Sequence, residues 1–143
     1  MQALQRLKAA HVKVFAFTNQ HRIHRGDATV NDFEEEFASL GFDGALICPH
    51  DPQDGCPCHK PRPGLLLRAA QEHPLDLHRC VVIGDVGATD MLAAGAVGAV
   101  KILVLTGWGK GSMGKYRPTW ASVEPEKVAS NLLDAVHWIL SEG

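Results

Sequence analysis

An α/β fold built on a doubly wound parallel sheet is predicted by three observations: short apolar runs, amphipathic stretches alternating with them, and polar or glycine residues where each run stops. The first run, residues 12–17, is rich in β-branched and aromatic side chains and gives way to Thr18 and Asn19. Residues 44–48, 80–85 and 100–106 repeat the pattern. Each is nearly uniformly apolar, as a strand covered on both faces must be.

Helical patterns separate these strands. Residues 31–40 carry acids early and close at Gly41, while residues 63–72 begin with Pro63 and bring Leu66, Leu67 and Ala70 to helical spacing. Thr89 is expected to cap residues 90–96. Pro125 is expected to open a last helix in which Val128, Leu132, Val136 and Ile139 form one apolar stripe. In such a sheet ligands gather beyond the carboxyl ends of the strands, here at Thr18 and Asn19, Cys48, Asp85 and Thr106.

The 143 residues are 45% hydrophobic and 21% charged, and no repeat or long linker divides them, so one domain over 1–143 is predicted. A formal net charge of -2 offers no general attraction to nucleic acid or to an anionic membrane. No apolar run is long enough to cross a bilayer, and residues 1–7 are amphipathic rather than a signal core; a cytoplasmic protein is expected, its oligomeric state open.

Three of the four cysteines crowd together beside a histidine. Cys48, His50, Cys56 and Cys58 supply three thiolates and an imidazole, the complement of a closed structural Zn2+ site that would staple a loop over residues 48–60. Reduced thiols, or a disulfide from Cys48 to one of the later pair, are the alternatives. Cys80, opening an apolar run, reads as a small buried hydrophobe. His21, His24 and His59 read as solvated loop histidines rather than a second metal site.

A further set of residues suits phosphate chemistry. Thr18 and Asn19 at a strand tip can donate hydrogen bonds to phosphate oxygens, and Lys60 can neutralise them with a point charge. Asp85, ending an apolar run, can bind Mg2+, and Asp90 at the next helix start can ligate or orient. Taken singly, each has a plain structural reading: a strand terminator, a solvated lysine, a residue favoured at a helix N-terminus.

Their order is more specific. Thr-Asn-Gln after an apolar strand, Cys-Pro-His, then Cys-x-Cys-x-Lys-Pro-x-Pro-Gly and Ile-Gly-Asp with a following Asp resembles the haloacid dehalogenase superfamily phosphatases. Within it, the subgroup that includes histidinol-phosphate and heptose-bisphosphate phosphatases is the most similar. The resemblance runs from Met1 to about Thr106. It implies a Rossmann-like fold, Mg2+-dependent hydrolysis of a small phosphorylated metabolite through an aspartyl-phosphate, and a structural Zn2+. By position it implies phosphate binding by Thr18 and Asn19, and a catalytic Lys60. It further implies Mg2+ at Asp85 and Asp90, Zn2+ at Cys48, His50, Cys56 and Cys58, and a substrate-bordering Arg25.

Three departures bear on the substrate. His21-Arg22 stands where small residues are common, His59 where arginine is frequent, and Val86 where the heptose-bisphosphate members tend to carry lysine. A fourth concerns the chemistry: the Asp-x-Asp-Gly-Thr motif that supplies the family's nucleophile is absent, and no two aspartates of the chain are separated by one residue. The strand carrying that motif lies in the family between the strand ending at Thr18 and the one ending at Asp85. A sheet lacking its first, central strand, and a chain inactive by itself, are therefore expected, with Met1 read as an internal start.

Rival readings remain. A zinc-stabilised domain that binds phosphate or another anion without turnover would use the same Thr18 and Lys60. Residues 109–115 nearly spell a nucleotide-binding P-loop, but Tyr116 replaces the metal-binding hydroxyl and Pro118 blocks the helix that phosphates need. A glycine-rich flap over residues 107–120 is preferred, with Trp108, Tyr116 and Trp120 as contacts over the site. A zinc-ribbon nucleic-acid binder fits neither the charge nor the single ligand cluster.

Overall fold

A computed structural model describes residues 2–19, 29–48, 60, 63–73 and 76–142. Helix α1 (Gln2–Ala9) leads into strand β1 (Phe15–Asn19), helix α2 (Val30–Ser39), strand β2 (Gly44–Cys48) and helix α3 (Gly64–Glu72). Strand β3 (Val81–Gly84), a π-helical turn (Gly87–Met91) and helix α4 (Leu92–Ala96) follow, then strand β4 (Val100–Val104) and helix α5 (Gly109–Met113). A 3-10 turn (Arg117–Trp120), strand β5 (Lys127–Ala129) and helix α6 (Leu132–Glu142) complete the described order.

All strand pairs are parallel, but the described strands fall into two sheets: β1 with β2, and β3-β4-β5 with β4 in the middle. Among the described residues β1 and β3 are not hydrogen-bonded neighbours. The division falls where a central strand is expected to be missing.

Period-2 alternation sorts the larger sheet onto two cores. Val81 and Ile83 of β3 with Ile102 and Val104 of β4 pack against Ala135, Trp138 and Ile139 of α6. Val82 and Leu103 face the other way, onto Met91, Leu92, Trp120 and Val123. Ile102 and Leu103 have no exposed surface, each side chain contributing about 1.5–3 kcal/mol by leaving water. Helix α1 lays Ala3 and Leu7 on Leu132, Leu133 and Val136 of α6, its apolar face finding a partner helix rather than a strand. The smaller sheet packs Phe15, Phe17 and Leu46 on Leu65 and Ala69 of α3.

Several boundaries differ from the sequence expectation. Thr29, not residue 31, begins α2: its hydroxyl accepts from the Asp32 N–H at 3.1 Å while Asp32 Oδ2 accepts from the Thr29 N–H at 2.8 Å. That reciprocal capping box contributes about 1 kcal/mol. The inward stripe of α3 is Leu65, Leu66 and Ala69, with Leu67 48% exposed, one residue out of phase with the expected set. Thr89 is not the N-cap of α4: it lies inside the π-helical turn that begins at Gly87, and Met91 holds the cap position. Val128 is not helical: it sits in β5, paired with Leu103 of β4, and α6 begins only at Leu132. The expectation of an unbroken stripe failed because a three-residue strand is too short to show a period of two. Cys80 is half-buried, just ahead of β3, with its thiol donating to the Asp76 carbonyl at 3.3 Å.

Candidate active site

The carboxyl ends of β1 and β3 hold the residues that matter. Thr18 and Asn19 are the last two residues of β1, in register with Ile47 and Cys48 of β2. Asp85 stands one residue beyond β3, and Asp90 lies within the π-helical turn after it.

Lys60 joins the two strand ends. Its Nζ donates to the Phe17 carbonyl of β1 at 3.1 Å and to Asp90 Oδ1 at 2.5 Å, and lies 4.6 Å from the centroid of the Phe17 ring. Both charged side chains are nearly buried, 11% and 12% exposed, so the pair is worth keeping only because it is hydrogen-bonded. The other Asp90 oxygen accepts from the Val86 N–H at 3.4 Å. Gly84 is required here: a Cβ at that position would run into the Asp90 carboxylate.

Asp85 is held from the opposite side. Its Oδ2 accepts from the Trp108 N–H at 3.0 Å, in the loop after β4. Gly107, at φ +57°, turns that loop with no Cβ to meet the same oxygen. Ser112, 3% exposed, ties the region together: its hydroxyl donates to the Asp85 carbonyl at 2.9 Å and accepts from the Gly87 N–H at 3.2 Å. The Ser112 carbonyl accepts from the Trp120 indole N–H at 2.9 Å.

Sequence reasoning missed Ser112. Its only signal was a lone serine in a glycine-rich run that looked like a phosphate loop. That run instead forms α5, a short helix on the π-helical turn. Trp120, expected over the site, is 1% exposed and forms part of the core beneath it. Trp108 and Tyr116 are exposed, at 67% and 45%.

Several expected residues lie outside the described residues: Arg25, His50, Cys56 and Cys58, together with His21, His24 and His59. Cys48 is placed as the last residue of β2. Among the described residues, no group of three or more His, Cys, Asp or Glu side chains converges. Among the described residues, Asp85 offers a hard carboxylate oxygen of the kind Mg2+ takes, a bound Mg2+ using one or two carboxylates and filling its remaining positions with phosphate and water. Both oxygens of Asp90 are already engaged, which suits it to orienting Lys60.

The site thus combines a parallel α/β body, an acid after one strand, an acid-braced lysine reaching to another, and a loop hydrogen-bonded to the first acid. Residues 57–135 match the HAD-hydrolase-like family, and the chain belongs to it. It is 41% identical over 100 residues to a D-glycero-beta-D-manno-heptose-1,7-bisphosphate 7-phosphatase of Helicobacter pylori, across 63% of this chain and 57% of that one. A protein of the same description from Pseudomonas aeruginosa is 37% identical over 127 residues, across 82% of this chain and 71% of its own. Among solved structures, a D,D-heptose 1,7-bisphosphate phosphatase from B. bronchiseptica complexed with magnesium and phosphate superposes with a TM-score of 0.78 at 32% identity. The match covers 99% of this chain and 82% of that one. The chain spans little more than half the length of the Helicobacter relative.

Proposed function

We propose that this chain is the phosphate-handling body of a Mg2+-dependent phosphomonoesterase for a small phosphorylated metabolite, a sugar phosphate by analogy with its relatives. One observation carries the reading: Lys60 spans from Phe17 of β1 to Asp90, five residues beyond Asp85 at the end of β3, so β1 and the turn after β3 share one nearly buried cation.

In this reading Lys60 offsets the charge of the phosphoryl oxygens, Asp90 holds the ammonium in place, and Thr18 and Asn19 donate hydrogen bonds. Asp85 would hold Mg2+, with the Trp108 N–H fixing the carboxylate's direction. Bound there, Mg2+ would supply further charge neutralisation at the phosphoryl group. Arg25 borders the substrate. Cys48, His50, Cys56 and Cys58 hold Zn2+, which braces the loop that delivers Lys60, in the reducing cytoplasm where thiolates stay available. The 143 residues contain no Asp-x-Asp pair, so turnover is assigned only to a polypeptide that also carries one, and this chain alone is expected to bind without hydrolysing.

Phosphate release from a panel of sugar and amino-alcohol phosphates, measured on a form carrying the Asp-x-Asp segment with Mg2+, tests the activity. Release that falls at least a hundredfold in Lys60→Met supports the assignment; silence across the panel overturns it. Metal content of the purified chain tests the loop: about one Zn2+ per chain, lost on mutating Cys56 and Cys58 to serine, is expected. A zinc-free chain with unchanged stability would remove the brace.

A further inference from the structure

Next to Asp85 lies a cavity of about 300 Å³ lined by Val86, Ala88, Trp108, Ser112, Tyr116 and Thr119. It opens beyond the ends of β3 and β4, where ligands of such sheets collect. Its connection to Asp85 is direct: Val86 follows that residue, the Trp108 N–H donates to its carboxylate, and the Ser112 hydroxyl donates to its carbonyl.

The lining has a definite chemistry. Val86 and Ala88 contribute aliphatic groups to the lining, and the exposed Trp108 and Tyr116 contribute aromatic rings. Of the three lining hydroxyls, those of Ser112 and Thr119 are committed. Ser112 donates to the Asp85 carbonyl, and Thr119 donates to the Tyr116 carbonyl at 2.5 Å. Lys115 has its Nζ 5.6 Å from the centroid of the Tyr116 ring. The hollow therefore offers ring faces and methyl groups, with the Tyr116 phenol and the Trp108 indole N–H as the polar groups of those same rings. Two large aromatic side chains left in water beside a charged site mark a ligand surface.

We propose that this cavity is the leaving-group subsite, which takes a ring-bearing alcohol by stacking the ring's apolar face on Trp108 and Tyr116 while the attached phosphoryl group sits at Asp85 and Lys60. The proposal rests on the phosphate reading above. It adds a selection rule: esters of ring alcohols are preferred over acyclic ones, through contact with ring faces. Both a sugar, through its C–H face, and an unsaturated ring satisfy the chemistry.

Binding to this chain, with Mg2+ present, separates the cases without requiring turnover. Titration calorimetry would compare methylphosphonate, benzylphosphonate and a hexose phosphate. Benzylphosphonate is expected to bind about tenfold more tightly than methylphosphonate, the order expected for stacking on aromatic side chains. Trp108→Ala and Tyr116→Ala should each pull that ratio toward one. Both positions are well exposed, so neither change threatens the fold. A hexose phosphate that gains the same advantage and loses it in Trp108→Ala supports the subsite and identifies a sugar as its occupant. Equal binding of the ringed and unringed ligands, or an advantage that survives both substitutions, overturns the subsite and leaves the phosphate reading standing. If none of the three ligands binds, the phosphate reading itself falls, and the subsite with it.

Discussion

Removing the Lys60–Asp90 pair one partner at a time tests the physical centre of this site. The two charges lie 2.5 Å apart with side chains 11% and 12% exposed. At an effective dielectric constant of about 20, unit charges about 3 Å apart attract by roughly 5 kcal/mol. Desolvation takes back several kcal/mol of that, and the balance is favourable only while both partners are present. Lys60→Met strands a nearly buried carboxylate whose remaining described contact is the long one from Val86; a loss of about 3–5 kcal/mol is expected. Asp90→Asn leaves the ammonium with the Phe17 carbonyl and ring, and should cost less, about 1–3 kcal/mol. The double variant should be more stable than the sum of the two losses by at least about 1.5 kcal/mol, because once one charge has gone the other gains nothing by staying. Urea unfolding followed through the buried Trp120 gives all four values. Losses that add to within about 0.5 kcal/mol would show that the two groups do not interact, and would refute the idea that one cation serves both strand ends.

Ser112→Ala should cost about 2–4 kcal/mol in the same assay, since it leaves the Gly87 N–H and the Asp85 carbonyl without their partner; a loss under about 0.5 kcal/mol would mean that water replaces the hydroxyl freely. Gly84→Ala should destabilise by about 1–3 kcal/mol and displace Asp90, seen as weakened phosphonate binding, because the added methyl meets the carboxylate; wild-type binding in this variant would contradict the packing described. Burial opposes ionisation of Glu126, but hydrogen bonds from the Lys101 ammonium and N–H outweigh it and hold its carboxyl below the ordinary glutamate range. A depressed folded value stabilises fully above the unfolded value and is lost as pH falls through the folded one. Glu126→Gln should therefore show a shallower decline in stability between about pH 6 and about pH 3 than the parent, by a small margin because the pair is partly exposed; parallel declines would refute the linkage.

The alternation of strands and helices was legible because uniformly apolar runs have few other uses in a chain of this charge. Lys60, Asp85 and Asp90 stood out in the sequence because their order along the chain is specific, and of these the geometry brings Lys60 to Asp90 and to β1. What stayed hidden depended on partners distant in sequence. The π-helical turn arises where Gly87 packs under Trp120 and Ser112, a contact no local pattern reports. Strand β5 exists because β4 offers it an edge, with Leu105 donating from its N–H to the Ala129 carbonyl. The roles of Ser112 and Trp120 likewise follow from bonds made across the fold.

The link between Trp108 and Asp85 is made by the main chain, whereas the indole points its bulk to solvent. Any residue but proline can supply that N–H. Position 108 is thus open to replacement during divergence: an altered side chain changes the lining of the hollow beside Asp85 while the acid keeps its hydrogen bond. One peptide unit thereby separates the surface beside the acid from the bond that holds it, so the first can vary without disturbing the second.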